Sequence, residues 1–468
     1  MYCSYYHSSI CHPLTRSLTQ PQIEPSKSNL FFPTKFKFWG RSSMSPTPTP
    51  RAGAGAGSVS GYGADYSEQL LGTQRKQKRQ SVAGIDQDEL LDPEMLADAD
   101  SCFCNFKGVQ IHHKICHEEE EEEQQEAHHS IQLHSSHPST SVAKKIGLPM
   151  VLLHGFGASV FSWNRVMKPL SQLVGAKVLS FDRPAFGLTS RVSFMEHSSS
   201  SSEDSAPLNP YSMAFSVLAT LSFIDLLAAE KAILIGRHSA GCLVAVDTYF
   251  EAPERVAALV LIAPAILAPI VPQNPFVRIW KALSNFCMHI VKVAMQMMKG
   301  MMDMVRTLYR KALSAILRST FAIVLVRMII DKFGIPAIRN SWCDANQIND
   351  HVLDGYTKPL RVKGWDKALL EYILAMVTDS ASEPKPPLAN RLTEISCPVL
   401  IITGDKDRIV PSWNAERLSQ AIPGSNFELI KNCGHLPHEE RVEEFLLAVE
   451  KFLWKVFGTQ EQILQATA

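Results

Sequence analysis

Short apolar runs rich in β-branched residues recur along the chain from residue 149 onward: Pro149–Leu153, Lys177–Phe181, Ala232–Ile235, Ala257–Ile262, Pro398–Ile402 and Phe427–Ile430. Each has the length and character of a strand buried on both faces. The stretches between them read as helices, among them Trp163–Leu173, Tyr211–Ala229 and Cys242–Phe250. Strands alternating with helices in this way predict an α/β fold with a mostly parallel, doubly wound sheet. Upstream, Ser101–Cys104 and Val109–Cys116 flank Asn105-Phe106-Lys107-Gly108 and predict an N-terminal hairpin. In a sheet of this kind the working groups collect at the carboxyl ends of the strands.

The rest of the chain divides by composition. Residues 1 to about 60 are rich in Ser, Thr and Pro, with Glu24 as the only acid, which is the composition of an organelle transit peptide or of a merely disordered terminus. Residues 1–100 are therefore expected to be a transit peptide and linker, with folded structure starting near Ser101. Residues 101–262 and 395–468 form the expected α/β core, interrupted by an acidic, His-rich loop at about 118–141, and residues 263–394 form an inserted helical cap. The formal net charge of zero gives no reason to expect a nucleic-acid partner. The ten cysteines are scattered, without the spacing of a disulfide framework, so a reducing compartment is the default. Cys102, Cys104, Cys116, His112, His113 and His117 match no standard zinc spacing, and alternate residues of a strand face opposite ways; no metal is expected.

Three of the strand ends carry chemistry. A strand that turns at once into a helix holds one residue at a sharp, strained corner, and Ser239 in Gly236-Arg237-His238-Ser239-Ala240-Gly241 is the candidate for it. The pattern departs from Gly-x-Ser-x-Gly, because Arg237 stands where the first glycine belongs and Gly236 comes one residue early. Either Arg237 is tolerated there, or one residue has been inserted and a bulge must absorb it. Asp405 and Asp407 follow the strand Pro398–Ile402, and His435 follows Phe427–Ile430. A serine hydroxyl needs a base to take its proton, and the base needs an acid to fix its tautomer. Ser239, Asp407 and His435, arriving in that order just past three apolar strands, satisfy that need together.

With His154-Gly155-Phe156-Gly157 and Asp182-Arg183-Pro184-Ala185-Phe186-Gly187 added, the sequence over roughly Ser101–Phe457 resembles the α/β-hydrolase superfamily, as a plant-type, plastid-targeted member with a large cap. The resemblance implies Ser239 as nucleophile, His435 as base and Asp407 as acid, with Asp405 the runner-up acid. It implies an oxyanion hole made by the backbone N–H groups of Phe156 and Ala240, supported by His154, Gly155, His238 and Gly241. It implies no cofactor. The expected reaction is hydrolysis of an apolar carboxylic ester through an acyl-enzyme. The alternatives are a slow or non-catalytic ligand-binding member of the fold, and another chemistry of the scaffold such as carbon–carbon bond hydrolysis or cofactor-free peroxidation.

Within the cap, Phe276–Phe333 holds ten Lys and Arg against two acids. Lys292, Lys299, Arg306 and Arg310 recur at helical spacing among many Met, Val and Ile, so they predict either an ordinary cap helix or a cationic face resting on an anionic membrane. No uncharged run reaches the roughly 18 residues that a membrane span needs. The expected location is the plastid, with the cytoplasm as the alternative.

Overall fold

The computed structural model describes residues 81–117, 145–192, 208–267, 307–379 and 388–458. The expected transit peptide, the acidic loop, Lys292, Lys299 and Arg306 lie outside the described residues. An eight-stranded sheet forms the centre, from β1 (Cys102–Phe106), β2 (Val109–Cys116), β3 (Met150–Leu153), β4 (Val178–Phe181), β5 (Ala232–Arg237), β6 (Val256–Ile262), β7 (Val399–Gly404) and β8 (Asn426–Ile430). Their order across the sheet is β8-β7-β6-β5-β3-β4-β2-β1. The strands from β3 to β8 run parallel, while β1 pairs with β2, and β2 with β4, in antiparallel fashion. The turn joining β1 to β2 is shorter than the sequence suggests: Lys107 and Gly108 both take positive φ, 49° and 82°, as a two-residue hairpin turn requires.

Alternation along the buried strands sorts their side chains into two cores. Met150, Leu152, Ile233, Ile235, Val260 and Ile262 point to one face, where α1 (Met167–Val174) brings Leu170 and the C-terminal helix Val442–Phe457 brings Phe445 and Phe452. Val151, Leu153, Leu234, Leu259 and Leu261 point to the other, against Phe215 and Phe223 of α2 (Met213–Leu226) and Val244 of α3 (His238–Glu251). Both faces are closed to water, which is why the strand sequences read as apolar runs rather than as alternating ones.

The cap region holds α4 (Thr320–Ser341), α5 (Asp350–Thr357) and α6 (Trp365–Asp379). The expectation that folded structure starts near Ser101 is corrected here. A small hairpin, Ser81–Val82 with Ile85–Asp86, already lies against the cap: Val82 is buried with Ala322 and Trp365, and the Ala83 N–H donates to Asp331. Trp365 Nε1 donates to Gln87, and Leu91 and Arg361–Lys363 exchange backbone hydrogen bonds. A linker of this composition orders because the cap supplies partners for its backbone. Arg310 is the one residue of the cationic series among the described residues, and it agrees with the ordinary cap helix. It is half-buried and donates to the Thr378 carbonyl 3.3 Å away, rather than standing on an open cationic stripe.

Candidate active site

The corner between β5 and α3 is one residue earlier than the Ser-centred reading of the sequence places it. β5 stays in register through Leu153↔Gly236 and Arg237↔Ile262, and the one irregularity in its pairing with β6 lies at Ala232/Ile233, at the strand's start. No bulge near the corner absorbs an extra residue. The helix therefore begins at His238 rather than at Cys242, and His238 is the corner residue, with φ of 57°. Ser239 is corrected from the corner to the first turn of α3. Three glycines fix this geometry. A Cβ on Gly236 would stand 2.5 Å from the Gly241 carbonyl oxygen, one on Gly241 2.2 Å from that of Leu153, and one on Gly155 2.8 Å from His238 Cβ.

Ser239 Oγ lies 2.8 Å from His238 Nδ1. His435 meets Asp407 instead, its Nδ1 2.7 Å from Oδ2 of a carboxylate that is fully buried. Oδ1 of Asp407 accepts the backbone N–H groups of Ile409 and Val410, so the acid is held on both oxygens. Nε2 of His435 is buried and without a hydrogen-bond partner, and the His238 and His435 rings meet edge to face with centroids 5.0 Å apart. The structure thus brings Asp407 to His435 and His238 to Ser239, with the His238 ring beside that of His435. Asp405 is not brought to His435; it accepts the Cys433 N–H at 3.2 Å and ties β7 to the loop that carries the histidine.

Burial, followed by the neighbouring His435 and Arg237, pushes the His238 pKa down to about 3, so its imidazole is neutral. His154 is held neutral in the same way, at about 3, by burial and by Arg183. Its Nδ1 contacts the Gly155 carbonyl at 2.8 Å and its Nε2 accepts the Arg183 N–H at 3.0 Å, which locks the loop after β3 to the loop after β4. Asp182 completes that lock. It accepts from Val160 N and Leu188 N and pairs with His112 Nδ1 at 2.6 Å. Burial works against its charge, but these contacts outweigh it and bring the carboxyl down to about 2. His112 is thereby a structural partner, and among the described residues no cluster of His, Cys, Asp or Glu is placed to hold a metal. Phe156 is partly exposed above the corner, and Ala240 is buried within the first helical turn, whose N–H groups an α-helix leaves without internal partners.

The partners of Arg237, and Glu440, were not singled out by sequence. Arg237, the misfit of the motif, is buried and points under the corner, where its Nη1 donates to Glu439 Oε1 at 3.0 Å and to Tyr356 of α5 at 3.3 Å. The Glu440 carboxylate accepts the N–H groups of Gly434, Cys343 and Asp344, joining the His435 loop to the end of α4. The run Pro437-His438-Glu439-Glu440 just after His435 is the sequence signal that would have found them. A cavity of about 350 Å³ lined by Asp98, Lys114, Phe161, Asp182, His351 and Lys358 lies away from the His238 corner.

A sequence model described as an alpha/beta hydrolase family matches residues 150–448. Among curated proteins, the chain is 26% identical over 308 residues to the pimeloyl-[acyl-carrier protein] methyl ester esterase of Vibrio campbellii, covering 65% of this chain and 94% of that one. It is 26% identical over 313 residues to a 2-hydroxy-6-oxononadienedioate/2-hydroxy-6-oxononatrienedioate hydrolase of Klebsiella pneumoniae, covering 65% and 86%. It is 23% identical over 296 residues to the uncharacterized hydrolase YugF of Bacillus subtilis, covering 63% and 85%. Among solved structures, a meta-cleavage product hydrolase of Pseudomonas fluorescens is similar at 18% identity and a TM-score of 0.45, over 76% of this chain and 97% of that one.

The buried neutral histidines make stability depend on pH in a definite sense. Each takes up a proton on unfolding but not when folded, so its stabilising effect is complete above about pH 6.5 and is lost as pH falls toward the folded pKa. The fully buried His154 and His438 both act in this sense, since burial holds each well below the ordinary histidine range. Urea midpoints should therefore hold between pH 7.5 and about 6.5 and decline from there to pH 5.5, and His154→Gln should flatten the decline even if it lowers the starting stability. A flat profile in the wild type would show that these histidines titrate normally.

Proposed function

The chain belongs to the alpha/beta hydrolase family, and we propose that it hydrolyses a carboxylic ester of largely apolar character, with Ser239 as nucleophile and His435 as base. The observation that carries this reading is the Asp407–His435 pair, 2.7 Å apart and buried, with His435 Nε2 left without a partner. A histidine whose Nδ1–H donates to a carboxylate offers Nε2 as an acceptor. Ser239, donating its Oγ–H to His238 Nδ1, requires the His238 proton on Nε2. The rings meet edge to face with centroids 5.0 Å apart and make no hydrogen bond to each other, so this reading requires His238 Nε2 and His435 Nε2 to close onto one another during the reaction. In this reading the serine proton passes to His238 Nδ1 as His238 gives its Nε2 proton to His435, and Asp407 stabilises the resulting imidazolium. A depressed pKa makes His238 a poor place for charge to rest, and so suits it to passing a proton on rather than keeping it.

Attack of Ser239 Oγ on the ester carbonyl carbon gives a tetrahedral oxyanion, for which the N–H groups of Phe156 and Ala240 are the proposed donors. Its collapse expels the alcohol, which takes the proton from His435, and leaves an acyl-Ser239. Water then attacks the acyl carbon, giving its proton back along the same route, and the acid leaves with Ser239 restored. The Vibrio relative named as a methyl ester esterase supports ester hydrolysis as the reaction class. One observation favours a second reading, a ligand-binding member with little turnover: the corner residue is His238, and Ser239 bonds to it rather than to His435.

Peripheral contact with an anionic membrane and plastid targeting belong to this proposal. α4 exposes Phe321, Val324, Met328, Ile329 and Phe333, and among the described residues no single helix is long and apolar enough to cross a membrane; one bent pair, Thr307–Leu317 with Thr320–Ser341, passes by length and composition only. Co-sedimentation with anionic vesicles, and the distribution of a fluorescent protein carrying residues 1–60, test these two points.

A fluorophosphonate should label the wild type and fail to label Ser239→Ala, and hydrolysis of a medium-chain aryl ester should fall by at least about a hundredfold in Ser239→Ala and His435→Ala. Labelling that survives Ser239→Ala but is lost in His238→Ala would move the nucleophile to His238. Deleting Arg237 together with Glu439→Gln draws Ser239 back onto the corner without leaving a lone buried carboxylate. Turnover that rises in this variant from a barely measurable level in the wild type would favour the binding reading for the natural chain.

A further inference from the structure

Arg183, two residues beyond the end of β4, is 1% exposed and has no carboxylate partner among the described residues. Its Nε and Nη2 are both buried and make no hydrogen bond. Two other buried cations are paired with carboxylates: Arg237 with Glu439, and Lys114 with Asp98 and Asp100. A buried guanidinium costs several kcal/mol of desolvation unless an anion offsets it, and among the described residues no carboxylate pairs with it. Nε–H and Nη2–H lie on the same edge of the guanidinium plane, the edge that takes both oxygens of a carboxylate side-on.

The surroundings of the guanidinium are aromatic and come from both core and cap. The guanidinium carbon is 5.4 Å from the centroid of the Phe186 ring and 5.8 Å from that of Tyr372, the latter contributed by α6 of the cap. Phe156, the residue after Gly155, packs against both rings, with centroids 5.6 and 6.1 Å away. Gly155 in turn is pressed against the His238 corner, and the charge on Arg183 helps depress both His154 and His238. Arg183 thus sits between cap and core, at the carboxyl end of the sheet, within electrostatic reach of the corner.

We propose that Arg183 is a recognition site for a carboxylate, so that the substrate is a molecule with an apolar body and a free acid group in addition to the bond that is cleaved. The aromatic rings pack against the apolar part and against the faces of the guanidinium, and the Nε/Nη2 edge takes the acid. This inference rests on the hydrolase reading for its word "substrate", but the binding it requires does not depend on turnover.

Calorimetric titration with glutaramate and with glutaramide, which differ in one carboxylate and carry no ester, tests it on the full chain at pH 7.5. The wild type should bind glutaramate at least roughly tenfold more tightly than glutaramide. Ser239→Ala should keep that preference, which separates it from binding at the reacting centre. Arg183→Met should lose the preference while its thermal midpoint holds or rises, because a lone buried charge has been replaced by an apolar side chain of similar length. Arg183→Lys, which keeps the charge without the fork, should show a reduced preference and serves if the Met variant does not fold. Equal binding of the two compounds by the wild type, or a preference that survives Arg183→Met, would overturn the proposal. A preference without any ester turnover would leave it standing and remove the hydrolase reading instead.

Discussion

The close approach of α3 to the end of β3 is the constraint on which the site depends. Gly241 lies so near the Leu153 carbonyl that no side chain fits between them, and Gly236 lies as close to Gly241. Helix and strand can touch in this way only if the chain reverses within one residue, and the cost of that reversal is a left-handed backbone at His238. A non-glycine residue persists there because the packing on both sides leaves no other path. The same approach forces glycine at position 155, where the loop carrying Phe156 crosses the corner. The corner side chain and the N–H groups of the first helical turn are therefore fixed in place before any ligand arrives, as preorganised catalysis requires.

A layer of buried charge beneath the corner joins core to cap. Arg237 leaves the end of β5 to meet Glu439 and Tyr356, and burial pushes the Glu439 carboxyl above its usual range against the pull of Arg237. Removing either partner alone would strand a buried charge, which is more damaging than the pair is stabilising. Glu440 does comparable work for the His435 loop by gathering three backbone N–H groups, two of them from the residues that follow α4. The position of the base and the position of the cap are thus parts of one network, so a shift of α4 or α5 would be felt at His435.

Strands buried on both faces leave a plain mark in the sequence, and β3 to β8 lie within two residues of the apolar runs that predict them. Asp407 and His435 were legible for a related reason, since each directly follows such a strand. The corner was misplaced by one residue because the short motif was read from its serine, whereas the pairing of Leu153 with Gly236 and of Ile262 with Arg237 carries β5 two residues beyond Ile235. Arg237 looked like a defect because its partner Glu439 is 202 positions away, and no local pattern shows such a contact. The ordering of Val82–Leu91 was hidden in the same way, for its partners Asp331, Trp365 and Arg361 all belong to the cap. Long-range polar contacts carry no periodicity, and it is these that sequence alone left unread.

The central claim is that a neutral His238 occupies the corner between Ser239 and the Asp407–His435 pair. Nitrogen NMR of the histidine side chains, assigned with His238→Gln and His435→Gln, tests it most directly. The account predicts that His238 stays neutral from pH 8 down to about pH 5 with its proton on Nε2, while His435 carries its proton on Nδ1 when neutral. A His238 that titrates near the ordinary value of about 6.5, or that carries its proton on Nδ1, would contradict it.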